Sequence, residues 1–599
     1  MTMRITGYCK LTALTLLICW AAAADCRAAA GAGYSASSDS LVVPGDIYVI
    51  EQEYLSRLNI DTFDDILQIV PWVSSWREGV PGSRTGFSAG GAETALLVNG
   101  RLIDNIYTSE PLERFVDLGR LVRVEVIRRG VFSLTGEIGS GAAINLVVER
   151  EGRESPFTQA DFTYGGSNRR ARRIWFSTPR SYVTAAISYN EYLQDAIEAL
   201  DFGQNRLIGD DHMKAVSFDL SMGPDQGALV HLTRFEDSFE RTACSRSEDI
   251  RTSGFDSWID YSGGGFRGSI RHRGIERLRL TGRMTGLCSG LNLELDRSLG
   301  NLHLRTFLTG RNYLFENRFS GVETDPEIHN YFGGATLFSR FAGNLPLRGS
   351  LFLGDHSVSG HYIGWEASAA REGKDGSYLS FAVSRKPELP SAAQFFHPVS
   401  FLNVPECFDI RSAGSESLDP QMVEEVSAES SFGFGLMINL FYRKIQDLIE
   451  PEGPGGSFRN APGSEEVSGV SARFGEDLSW RRFTLELEGG GEYFFETGGL
   501  RAGVPEYTAT GNLYLRFPIF KKTETITLHL NSMAFGARQW HGESADPGSV
   551  HNFSLSMTLM SAVIRFQYKN ILDTEYQTVP GFNMAERHFR IGILWNLSD

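Results

Sequence analysis

The side chains best suited to chemistry gather around one glycine- and arginine-rich stretch, Glu78 to Gly91, and the residues just ahead of it. Trp76, Arg77, Arg84 and Phe87 offer two aromatic faces for stacking and two guanidinium groups for a charged or chelating molecule, which makes them the candidate ligand-binding residues. The same groups also suit packing: Trp72 and Trp76 can seat against a surrounding wall, and the arginines can pair with acids such as Glu486. Arg277, Arg279, Arg283 and Arg305 hint at an anionic ligand, although arginines in such a setting more often serve structural ion pairs. The adjacent carboxylates Asp64 and Asp65 read as first-turn helix acids.

No catalytic constellation accompanies these residues. The chain has no G-x-S-x-G and no H-E-x-x-H, and the glycines from Gly136 to Gly141 precede a strand rather than the helix a phosphate cradle needs. Neither enzymatic activity nor a cofactor is expected. Beyond the N-terminus the cysteines are Cys244, Cys288 and Cys407; they allow at most one disulfide, and their spacing fits no metal-ligand pattern. Leu41 to Arg150 contains no histidine, which argues against an axial haem ligand there. The net charge of −16 argues against a nucleic-acid partner, which needs a positive footprint.

The elements that must position the candidates are legible on either side. Phe63, Ile66, Leu67 and Val70 fall at i, i+3, i+4, i+7, with Asp61 or Thr62 as N-cap and Pro71 as the stop, so one short amphipathic helix precedes the loop. Thr94 to Arg101 reads as a strand entering an Asn99-Gly100 turn. Val122, Val124 and Val126 then alternate with Arg123 and Glu125 at the period of a half-buried strand. Gly130, Gly136, Gly139 and Gly141 make a glycine corner, and Ala142 to Val148 is a further strand.

The N-terminus reads as a secretory signal over residues 1–30, with Arg4 and Lys10 ahead of an apolar core from Leu11 to Ala24. Residues 31–45 are small and polar and read as a flexible lead-in, although Leu41 to Val43 can equally start the first strand. From Glu151 onward the texture is period 2, as in Phe553, Leu555 and Met557 against Ser554, Ser556 and Thr558. A long series of such strands, with no helix to cover the apolar face, suits a closed barrel with lipid outside and water inside. The roughly 445 residues after residue 150 hold about 20 to 24 strands at ~10 residues each plus connections.

The runs DTFDDILQIVPWVSS, ETALLVNGRLID and RVEVIRRGVFSLTGEIGSGAAINLVVER resemble, in order, the plug domain of TonB-dependent outer-membrane receptors. In this chain Asn99 stands for the usual Asp of the strand-turn, Arg129-Gly130 for Gly-Pro, Thr135 for Tyr, and Phe87-Ser88-Ala89 where an Arg-Gly pair is common. Tyr378 to Phe396, Ser415 to Pro420 with Glu424-Glu425, Leu440 to Ile449, Lys569 to Tyr576 and Arg587 to Trp595 are similar to barrel signatures of the same family.

The resemblance implies a membrane all-β fold: an antiparallel transmembrane β-barrel of about 22 strands holding an N-terminal α+β plug in its lumen. The implied divisions are a signal peptide at 1–30, a lead-in at 31–45, a plug at 46–150 and a barrel at 151–599. The implied role is energy-coupled uptake, across the Gram-negative outer membrane, of a scarce nutrient such as a ferric siderophore, cobalamin or another metal chelate. Its partners would be outer-membrane lipid, the small-molecule or metal-chelate ligand, and a TonB-like periplasmic protein. That protein would pair by strand addition with a box at Asp39, Ser40, Leu41, Val42 and Val43. Two alternatives are an uncoupled ligand-binding or sensor barrel and a barrel-embedded hydrolase.

Overall fold

The computed structural model describes residues 41–598 except 58–59, 61–62, 71, 78–84, 104–117, 119–120, 139–140 and 149–156 in the N-terminal part. In the remainder it omits the connections at 166–169, 179–182, 199–207, 223–226, 244–245, 264, 280–281, 320–321, 325–326, 342–344, 374, 391–417, 452–457, 481, 499–502, 520–523, 541–542, 580–581 and 585–586. The signal peptide, Asp39, Ser40, Arg84, Cys244 and Cys407 lie outside the described residues, as does the side chain of Arg77.

The N-terminal domain is built on β1 (Ile47–Glu51), α1 (Gln52–Arg57), α2 (Phe63–Leu67), β2 (Val73–Arg77), β3 (Thr85–Ala89), β4 (Ala92–Val98), β5 (Arg101–Leu102), β6 (Leu121–Ile127), α3 (Val131–Thr135) and β7 (Ala142–Val148). Its sheet runs β1-β6-β7-β4-β3-β2, with β5 beside β4. Only β4 and β7 are parallel. Every residue of β7 is buried, as a strand covered on both faces requires. The expected amphipathic stripe is real: Phe63, Ile66, Leu67 and Val70 are all buried in the core with Leu96, Val124 and Ile144. Asn99 and Gly100 both take positive φ in the β4–β5 turn. Asn99 Oδ1 accepts a hydrogen bond from the Val148 N–H at 3.0 Å, which ties the turn to β7.

Two features were not foreseen. The glycine corner contains a one-turn helix, α3, bracketed by Gly130 (φ 71°) and Gly136 (φ 69°), both left-handed. These ends need glycine because an L side chain resists that region. The helix forms between them because Val131, Phe132 and Leu134 all find buried seats. In the expected lead-in, the described residues are packed: Leu41 and Val43 are fully buried against Leu97, Ile127, Val131 and the wall residue Phe338.

The rest of the chain closes into an antiparallel barrel. Each strand pairs with its successor, and His588–Ser598 closes the wall by pairing with Phe157–Gly165. Of the 23 strands in the cycle, Val322–Thr324 is a three-residue hairpin end beside Leu302–Phe319, leaving 22 that build the wall. Some are far longer than the expected ~10 residues: Arg246–Gly263, Gly282–Leu299 and Leu302–Phe319 each have 18. At about 3.3 Å per residue they outreach an apolar band about 25 Å tall even when tilted, so they stand clear of it at one end.

The wall is inside-out. Along Phe157–Gly165, Gln159, Asp161 and Thr163 are buried while Phe162 and Tyr164 are exposed. Along Leu345–His356, Arg348, Ser350 and Phe352 face inward, whereas Leu351 and Leu353 point outward and are more than half exposed. A water-soluble sandwich would reverse this; a wall facing hydrocarbon demands it. Among the described residues no helix is long and apolar enough to cross a membrane. Near the end that carries the short turns, Phe432 stacks on Phe434 and Trp480 on Phe483, an aromatic girdle at an interface. All the long connections, among them 389–420, 447–463 and 570–587, lie at the other end.

Candidate functional site

The N-terminal domain sits in the lumen, and its β2–β3 hairpin carries the candidate ligand residues. Trp76 lies opposite Gly86 and Ser75 opposite Phe87, so strand alternation sends Trp76 and Phe87 to opposite faces. Phe87 turns into the core and meets Phe63 edge-on at 5.3 Å between centroids. Trp76 is half-buried and lies flat on Gly86, where any Cβ would collide with the indole. Of the four residues in the candidate set, only Trp76 is seen to present an aromatic face away from the core. The hairpin tip, residues 78–84, lies between these strands and outside the described residues.

Loops from the long-connection end reach this hairpin. Arg538, almost fully buried, donates from Nη1 to Ser75 O at 2.7 Å and to Gly503 O at 3.0 Å, with Phe535 4.9 Å beneath its guanidinium. Just before β2, Trp72 has φ 66° and donates from Nε1 to Ala472 O of the wall at 3.1 Å, with Arg128 stacked 4.7 Å over its ring. Trp72 therefore seats the hairpin on the wall.

The domain is held in the lumen by apolar contacts, such as Phe132 against Phe307 and Phe352, and by ion pairs. Arg101 meets Asp260 at 2.8 Å and Arg128 meets Glu429 at 2.7 Å, plug cation to wall acid. In the opposite sense, Asp46 meets Arg348 at 2.5 Å, Glu137 pairs with Arg311, and Asp65 takes both Lys569 and Arg590, the latter at 3.1 Å. Asp65 is thus a wall contact and more than a helix acid. Local spacing could not show this, because its partners lie some five hundred residues away in sequence. Tyr48 and Tyr54 donate to Glu488 at 2.7 and 3.3 Å. Burial, and next the neighbouring anionic groups, hold both phenols well above their usual range, so they remain donors.

The arginines that pointed to an anionic ligand are occupied where they are described. Arg305 is buried between Glu294 (3.1 Å) and Asp296 (2.8 Å), and Arg283 pairs with Glu276 at 2.6 Å. The side chains of Arg277 and Arg279 lie outside the described residues. Glu486 pairs with Arg516 at 3.8 Å. Cys288 is buried in the plug–wall core. Among the described residues no three His, Cys, Asp or Glu side chains converge as a metal site.

Residues 40–144 match the TonB-dependent receptor plug domain family. The whole fold agrees with solved structures of such receptors. The siderophore receptor PirA from Acinetobacter baumannii is 12% identical, covers 92% of this chain and 98% of its own, and superposes with a TM-score of 0.71. The chain has the fold of a TonB-dependent receptor. A variant of the ferric enterobactin receptor PfeA from Pseudomonas aeruginosa is also 12% identical, with 95% and 100% coverage and a TM-score of 0.72. The copper transporter OprC shares 12% identity, the same coverage and a TM-score of 0.72. No curated protein matches in sequence. In this fold, then, the ion-paired domain is the plug, and the β2–β3 hairpin lies on its side toward the long connections.

Proposed function

We propose that this receptor imports a scarce nutrient across the outer membrane, a ferric siderophore, cobalamin or another metal chelate, with energy supplied by a TonB-like periplasmic protein. The observation that carries the reading is a plug seated inside a lipid-facing barrel, with buried charge pairs that fix its orientation in the lumen. The ligand enters among the long connections and meets Trp76 and the tip of the β2–β3 hairpin, with Arg77 and Arg84 available for its anionic or chelating oxygens. Phe87 supports that surface from beneath. Displacement of the hairpin passes to the plug sheet. The segment Asp39, Ser40, Leu41, Val42 and Val43 then pairs with the periplasmic partner as an added strand, and the partner's pull opens a path beside the plug.

The domain divisions follow: signal peptide 1–30, lead-in 31–45, plug 46–150 and barrel 151–599. Siderophore and copper relatives point to metal-bearing ligands for this chain as well. Two experiments test the reading. Deleting Ser35 to Val43 should abolish uptake while leaving binding intact; unchanged uptake sinks energy coupling. Metals and small molecules retained by the purified receptor should be lost from a variant lacking Trp76 to Phe87, and equal retention by both removes the hairpin as the ligand site.

A further inference from the structure

Arg305 and Arg538 are the largest fully buried side chains among the described residues, and they are compensated very differently. Arg305 lies between two carboxylates, Glu294 and Asp296. Arg538 has no such partner: among the described residues no acid pairs with it, and its Nε is buried without a hydrogen-bond acceptor. It has two neutral acceptors, Ser75 O at 2.7 Å and Gly503 O at 3.0 Å, both reached by Nη1, and the ring face of Phe535 at 4.9 Å. Burial pulls the guanidinium down to about 10, and the Tyr576 phenol opposes that shift.

Arg538 begins the short hairpin of Arg538–Trp540 and Glu543–Ala545, in the connection between wall strands Thr525–Phe535 and Gly548–Leu559 at the long-connection end. A backbone bridge to Pro505, and the Gly503 N–H donating to Gln539 O at 2.9 Å, fix this hairpin to the neighbouring connection. Phe535 is fully buried beneath it and meets Tyr576 at 5.8 Å between centroids. From this seat the guanidinium reaches across to the plug at Ser75, one residue before Trp76. Tying two carbonyls together needs donors but no charge, and a neutral amide supplies them. Burying a cation without a counter-charge is costly, so the charge itself calls for an explanation.

We propose that Arg538 reads the negative charge of the ligand, and that the ligand is an anionic chelate carrying carboxylate, catecholate or phosphate oxygens. An anionic oxygen displaces the Ser75 carbonyl from the guanidinium because it supplies the counter-charge that a neutral carbonyl lacks. An uncharged ligand gains no such advantage, so Arg538 sets selectivity rather than affinity in general. The proposal rests on reading the β2–β3 hairpin as the ligand site, since Ser75 is the plug residue that Arg538 holds.

The test is equilibrium binding to the purified full-length receptor in detergent. The probes are ferric tris-catecholate and ferric citrate, both anionic, and an uncharged ferric tris-hydroxamate. The parent should bind at least one anionic probe at least tenfold more tightly than the uncharged one. Arg538→Met should erase that preference while leaving the uncharged probe bound as in the parent, and Arg538→Lys, which keeps the charge, should retain part of it. Arg538→Gln keeps donors for the two carbonyls without the charge; it should behave like Arg538→Met and carries the comparison if that variant fails to fold. A side chain that merely ties the connections together would change all three affinities by one factor, and that result overturns the proposal. So does an unaltered preference in Arg538→Gln, or a parent that binds neither anionic probe. Charge-selective binding by a receptor that imports nothing leaves the assignment of Arg538 standing and refutes uptake. Import of an uncharged chelate, with Arg538→Gln as active as the parent, does the reverse.

Discussion

Replacing Asp65 by Asn isolates the contribution of one plug–wall ion pair. The Asp65 carboxylate is buried on α2 and serves two wall cations, Lys569 and Arg590, which are themselves almost fully buried. Removing one partner of a buried pair costs about 3–5 kcal/mol, because the remaining charge is left without compensation. Here two charges are left, but both have second acceptors. Lys569 keeps Gln68 Oε1 at 3.1 Å, and Arg590 keeps Gln567 Oε1 at 3.5 Å. The Asn side chain also retains one acceptor oxygen. The net loss should be about 2–4 kcal/mol, charged to the docking of α2 rather than to the wall. At about 1.4 kcal/mol per factor of ten, amide exchange in Phe63–Leu67 should accelerate on the order of a hundredfold. The closing strands Phe157–Gly165 and His588–Ser598 supply the internal reference. The effect should persist at high salt, since screening acts weakly on buried pairs. Lys569→Met added to Asp65→Asn should cost less than the two separate losses combined. An acceleration below about threefold, or equal deprotection of the closing strands, refutes the assignment of Asp65 as the anchor of α2.

The other expectations divide the hairpin, the plug base and the corner. Phe87→Ala should destabilise the plug by about 3–5 kcal/mol in thermal unfolding, as truncation of a core aromatic does, while Trp76→Ala should leave stability nearly unchanged and weaken retention of the bound metal or chelate. Tyr48 and Tyr54 should contribute nothing to the rise in tyrosinate absorbance at pH 9–11, so Tyr48→Phe with Tyr54→Phe should leave that amplitude unaltered; a drop equal to two tyrosines contradicts their burial. Their folded-state values lie above those of the unfolded chain, so the stability they contribute is complete below about pH 10 and is lost as the pH rises beyond it. Gly136→Ala combines a left-handed φ with a collision against Phe307, and should lower plug stability by roughly 1–3 kcal/mol in the same thermal assay.

What could be read in advance follows the range of the physics involved. The 3.6-residue stripe of α2, the Asn99-Gly100 turn and the period-2 wall are local consequences of side-chain spacing, and all three are present. The inside-out sense of the wall was legible through strand number and through charges alternating with apolar residues, as in Leu302 and Leu304 with His303 and Arg305, since Ser554 and Ser556 facing inward fit either sense by period alone. Helix α3 was missed because its five residues are too few for a period, and its glycines read as a plain turn. Asp65 was explained prematurely: a first-turn acid satisfies helix electrostatics, and nothing nearby shows that Lys569 and Arg590 also need it. Within the candidate ligand set, Trp76 and Phe87 part for a similar reason. Spacing placed Trp76 and Phe87 on one loop, but strand pairing put them on opposite faces.

The signs of the pairs around the plug carry a further consequence. Among the described residues, the wall partners in plug–wall ion pairs run in chain order Asp260, Arg311, Arg348, Glu429 and then Lys569 with Arg590, an acid, two bases, an acid and two bases. The plug presents the complement through Arg101, Glu137, Asp46, Arg128 and Asp65. A plug rotated so that Arg101 faced Arg311, or Arg128 faced Lys569, would bury like charges against one another at a penalty of several kcal/mol each. Buried pairs of this kind add little net stability over apolar packing, so their arrangement fixes orientation while leaving the interface weak enough to open. In the uptake cycle proposed above, that combination lets the plug leave its seat and return to it. The acid–base order around the lumen specifies that single seating.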